Sequence, residues 1–128
     1  MRILIADTDE TTLAMIRSYL CHHGFDTEMA SDAIEGVTML REFRPHALIL
    51  GNGLQWGGSD GLLEFVQEEQ QCSHIHLVLT AYSPTEFDSS AIHRPVGFLR
   101  KPIRLVDLLW QMDILESVVE ASCESVND

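Results

Sequence analysis

Short apolar runs and longer stretches of helical spacing alternate along the chain. Ile3–Ala6, Ala47–Leu50, Ile75–Thr80 and Val96–Arg100 read as strands, and Thr27–Ala30 as a weaker one. Between them, Glu10–His22 puts Leu13, Ile16, Tyr19 and Leu20 on one helical face and stops before Gly24. Asp32–Glu42 reads as a second helix, with Ile34, Val37, Met39 and Leu40 apolar. Asp60–Gln70 predicts a third helix, Pro84–Ile92 a short one, and Ile103–Glu120 the last. The pattern gives one domain over residues 1–120, with 121–128 as a frayed tail.

Strands that are apolar on both faces and separated by helices imply a parallel sheet covered on both sides. Right-handed crossovers then favour a doubly wound α/β fold of five strand–helix repeats. Such sheets carry their sites beyond the carboxyl ends of the strands, which singles out Asp7, Gly51, Thr80 and Lys101.

The last helix holds two apolar stripes. At about 100° per residue, Leu105, Leu108, Leu109, Met112, Leu115 and Val119 form the core face. Val106, Trp110, Ile114 and Val118 repeat at every fourth position and point almost the opposite way. One exposed apolar residue needs no explanation, but four in a row predict either cover by the C-terminal tail or a loop, or a protein interface.

Composition narrows the partners. The 128 residues suffice for a single core, and a net charge of −12 disfavours direct contact with nucleic acid. The basic residues are seven arginines and one lysine, Lys101. Three widely spaced cysteines, Cys21, Cys72 and Cys123, make no disulfide framework and fit a reducing cytoplasm. The opening "MRILIAD" turns acidic too soon for a signal peptide, and no apolar run is long enough to span a membrane.

The glycine-rich loop after Leu50, "GNGLQWGGSDG", raises the question of phosphate binding. A dinucleotide fingerprint needs a sixth-position glycine where Trp56 stands. Gly53 and Gly58 have the spacing of a P-loop, but Ser59 occupies the place of its lysine. Asp9 and Glu10 read as acidic residues in a helix's first turn, with Thr8 as a possible N-cap. His22 and His23 sit at a helix end, and His74 and His76 share one strand face without enough partners for a zinc site.

Taken in order, "RILIADTDE", "RPHALIL", "LVLTAYSP" and "VGFLRKP" resemble the receiver domain of bacterial response regulators, over Arg2 to about Glu116. The resemblance implies a flavodoxin-like (βα)5 fold. It also implies a phospho-acceptor aspartate at the end of the third strand and an acidic pair that helps hold Mg²⁺. A hydroxyl residue would end the fourth strand and a lysine the fifth. A carboxylate would be the nucleophile, with Mg²⁺ and the lysine offsetting charge on the phosphoryl group.

Residue by residue, Asp7 matches the first acidic position, Thr80 the hydroxyl, Lys101 before Pro102 the lysine, and Phe98 the switch aromatic. Thr8 replaces the second acid, and Gly51 stands where the acceptor belongs. Asn52 is a poor nucleophile, and Asp60 lies past the loop. With two of three carboxylates gone, Asp7 and Lys101 are expected to pair directly, Mg²⁺ is expected not to bind, and no enzyme activity is expected. The expectation is a degenerate receiver that works by protein association through Val106, Trp110, Ile114 and Val118, with a homodimer as one form. A phosphotransfer receiver with another acceptor, and a small-molecule or nucleotide binder using the Gly51–Gly61 loop, are the alternatives.

Overall fold

A computed structural model describes residues 1–54 and 58–127, with the side chains of the last helix described as far as residue 118. Five strands, β1 (Arg2–Ala6), β2 (Asp26–Ala30), β3 (Ala47–Gly51), β4 (His76–Ala81) and β5 (Gly97–Arg100), form one parallel sheet in the order β2-β1-β3-β4-β5. The helices are α1 (Glu10–His22), α2 (Ala33–Glu42), α3 (Gly58–Glu68) and α4 (Leu105–Asn127). The doubly wound architecture is that expected from the alternating pattern.

Strand alternation sends neighbouring residues to opposite faces. Leu4, Ala6, Leu48, Leu50, Leu77 and Leu79 pack in one buried cluster with Leu62, Leu63 and Val66 of α3. Ile3, Ile5, Ala47, Ile49, Val78 and Leu99 pack in the other with Ile16 and Leu20 of α1 and Leu108 and Met112 of α4. Each central strand is therefore apolar throughout because both faces are covered.

Local chemistry sets the helix ends. Asp9, not Thr8, caps α1: its carboxylate accepts from Thr11 N at 3.1 Å and Thr12 N at 3.4 Å, while Thr8 lies exposed. The Thr12 hydroxyl also donates to Asp9 at 2.7 Å, which holds the Asp9 carboxyl below its usual range. Asp32 caps α2 through Glu35 N at 2.7 Å.

The helix expected over Pro84–Ile92 does not form. Two single 3-10 turns, Pro84–Glu86 and Ser89–Ala91, take its place. Ser83 caps the first and Asp88 the second, and between them the Phe87 backbone is extended with its side chain buried. Two caps five residues apart divide the segment before a second helical turn can add. The last helix begins at Leu105 rather than Ile103 and runs to Asn127, past the Glu120 limit read from the pattern.

Candidate functional site

The carboxyl ends of β1, β3, β4 and β5 converge on four residues. Asp7 follows β1 directly, and its N–H donates to Ala30 O at the end of β2 at 3.1 Å. Gly51 is the last residue of β3, in register with Thr80 of β4. Lys101 follows β5, tied to β4 by its N–H donating to Ala81 O at 2.8 Å. The sequence pattern placed these groups together, and the sheet order does bring them to one edge.

Lys101 Nζ lies 2.8 Å from Asp7 Oδ2, with both side chains largely shielded from water. The other carboxylate oxygen, Oδ1, accepts from Asp9 N at 3.1 Å. Asp7, 3% exposed, thus has both oxygens satisfied, as a buried carboxylate requires. The Asp7 carboxylate fills the space above Gly51: a Cβ built there would fall 2.7 Å from Asp7 Cγ and closer still to Oδ2.

Thr80 is buried, and its hydroxyl makes only a long contact of 3.5 Å to Leu50 O. Phe98 is half-buried against the α3-side cluster, one strand residue before Leu99. Two further residues, Tyr82 and Ser59, were not expected at this site from the sequence. The Tyr82 ring is exposed, with its centroid 6.0 Å from Lys101 Nζ, within cation–π range. Ser59 is buried; its hydroxyl donates to Gly51 O at 2.6 Å and accepts from Leu54 N at 3.1 Å, bridging the two ends of the glycine-rich loop. An aromatic two residues beyond Thr80, and a serine in the first turn of α3, were the only signals for them. Trp56 lies outside the described residues.

The donor set does not fit Mg²⁺. Asp7 is bound by an ammonium, Thr8 has no carboxylate, Gly51 has no side chain, and the Asp9 carboxylate is engaged in capping α1. Among the described residues no group of three or more His, Cys, Asp or Glu is arranged to hold a metal ion.

On α4, Leu108, Met112 and Leu115 are buried. Val119 of the same expected face lies beyond the described side chains. The opposite stripe is open: Val106, Ile114 and Val118 are exposed, and Trp110 is 67% exposed. No described segment covers it.

No protein-family model matches the chain. Curated relatives do. It is 38% identical over 117 residues to "Response regulator MprA" of Mycobacterium avium, covering 90% of this chain and 50% of that protein. It is 32% identical over 116 residues to "Two-component response regulator ORR21" of Oryza sativa subsp. indica, covering 87% of this chain and 16% of that protein. The backbone matches the signal receiver domain of a histidine kinase from Syntrophus aciditrophicus with a TM-score of 0.81 at 22% identity, over 92% of this chain and 91% of that one. It matches the chemotaxis protein CheY4 of Vibrio cholerae with a TM-score of 0.77 at 18% identity, over 89% and 97%.

In sequence and in fold the chain is similar to the receiver domain of response regulators. It spans about half the length of the mycobacterial relative and a smaller part of the rice one. Its strands place Asp7, Thr80 and Lys101 at the carboxyl ends of β1, β4 and β5, while β3 ends in a residue with no side chain. Among the described residues no helix is long and apolar enough to cross a membrane.

Proposed function

We propose that this chain is a pseudo-receiver: it takes part in two-component signalling by protein association that needs no phosphoryl transfer, and it is not an enzyme. The observation that carries this reading is Gly51 at the end of β3, with Asp7 held against Lys101 above it. Aspartyl phosphorylation needs a carboxylate at that strand end, and Asp7, whose carboxylate lies over it, is already paired with an ammonium. Mg²⁺ has no suitable ligand set and is no cofactor in this reading.

The docking surface is the open face of α4. Val106, Trp110, Ile114 and Val118 form a continuous ridge, and burying Trp110 or Ile114 would contribute roughly 1.5–3 kcal/mol each. The two 3-10 turns leave no helix between β4 and β5 to share that surface. A second copy is the simplest partner. Two chains of charge −12 repel, so association should tighten as salt screens them. The free thiols of Cys21 and Cys72 accord with a cytoplasmic setting.

Two measurements test the reading. Acetyl phosphate with Mg²⁺ should leave no hydroxylamine-labile phosphate on any aspartate, and such a phosphate would show a working acceptor. Sedimentation of the wild type and Trp110→Glu across a range of salt should show association lost in the variant. Two monomers at every salt concentration would remove the homodimer.

A further inference from the structure

We propose that Gly51 and the Asp7–Lys101 pair form one interdependent unit, in which the pair exists only because residue 51 has no side chain. Glycine here is then a requirement of the present structure as well as the loss of an acceptor. The inference is independent of what docks on α4.

Three observations carry it. A Cβ at residue 51 would lie 2.7 Å from Asp7 Cγ and 3.3 Å from Asp7 Cβ, well inside the carbon–carbon optimum of about 3.5–4.0 Å. The clash reaches the base of the carboxyl group, so tilting the oxygens does not relieve it. The carboxylate is also pinned from two sides, by Lys101 Nζ at 2.8 Å and Asp9 N at 3.1 Å. Moving it to make room therefore breaks the contacts that hold it. Gly51 itself has no alternative place, because its carbonyl accepts from the buried Ser59 hydroxyl and its strand is registered between β1 and β4.

The unit also fixes what the site can receive. The pair links the ends of β1 and β5 across β3 and β4, and Lys101 is committed to Asp7 rather than to an incoming anion. Even the smallest side chain at residue 51 frees Lys101. A restored aspartate at that position displaces Asp7, so one substitution does not return a receiver with both carboxylates and the lysine in order.

Lys101 is the chain's single lysine, which makes its pairing directly readable. The experiment compares wild type, Gly51→Ala, Asp7→Ala and the double variant by thermal melting and by acetylation with N-hydroxysuccinimide acetate, with peptide mass spectrometry separating Lys101 from the N-terminus. Gly51→Ala should lower the melting temperature by several degrees and raise the Lys101 acetylation rate several-fold. In the Asp7→Ala background the same change at residue 51 should cost almost nothing and leave the Lys101 rate unaltered. If Gly51→Ala melts and reacts like the wild type, the proposal is overturned. The same holds if the effects of the two changes simply add, or if the double variant fails to fold while Asp7→Ala folds, since glycine would then be needed for another reason.

Discussion

Gln67 of α3 grips both ends of a short backbone stretch in the β4–β5 connection: its amide donates to Ala91 O at 2.8 Å, and its carbonyl accepts from His93 N at 2.6 Å. Arg94 completes the attachment. Its guanidinium donates to Val66 O at 2.6 Å and Ile75 O at 2.9 Å, with longer bonds to Cys72 O and Ser73 O at 3.3 Å. Side chains thus hold in place a segment that has no helix of its own. Arg94→Ala should cost about 1–3 kcal/mol, and Gln67→Ala about 1 kcal/mol. Amide hydrogen exchange checks this: both variants should exchange faster over 84–96 while β1 and β3 stay protected.

Removing Lys101 should be costlier than its partly exposed position suggests. Lys101→Ala leaves the Asp7 carboxylate buried without its cation, at about 1–3 kcal/mol. Asp7→Asn in the same chain should recover much of that loss, because a neutral amide tolerates burial better. A double-mutant cycle by urea unfolding measures the coupling. Strict additivity would mean that the 2.8 Å contact contributes nothing to stability.

Acid should weaken the fold through two histidines. Burial holds the His76 imidazole below its usual range, and burial, followed by the Arg2 charge, does the same for His46. His46 Nδ1 also accepts from Arg2 N at 3.0 Å, which needs an unprotonated nitrogen. With folded values below the unfolded one, the unfolded chain takes up protons first as pH falls. This stability is present above about pH 6.5 and is lost as pH drops through the folded values. Asp9 and Asp88, held low by hydrogen bonds from Thr12 and Ser90, stay ionised through that window. The urea midpoint of the wild type should therefore be lower at pH 5.5 than at pH 7.5. His46→Gln and His76→Gln should each shrink the difference, and unchanged slopes would assign the acid sensitivity elsewhere.

The strands were legible because their apolar runs are set by burial on both faces, a property of each residue in turn. The second stripe of α4 was legible for the same reason: four apolar residues at every fourth position need only the helical period. The β4–β5 connection was not. Pro84–Ile92 has helix-compatible spacing, but the Ser83 and Asp88 caps divide it, and Gln67 and Arg94 bonds reaching 19–28 residues along the chain tie down its end. Thr8 and Asp9 are both good N-caps by type, so only the backbone geometry could choose Asp9. At the site, Gly51 and Lys101 stood out by position. That the Asp7 side chain fills the space over Gly51 depends on a rotamer, which no spacing encodes.

The order of strands in the sheet also bears on how the chain is made. The three neighbours β2, β1 and β3 are all complete by Gly51, so residues 1–51 can bring three adjacent strands together while the residues after them are still being synthesised. β4 and then β5 each join an edge that already exists. No strand has to be inserted between two that have already paired. Each later strand is thus searched for against a single waiting edge, although every pair remains a long-range parallel one.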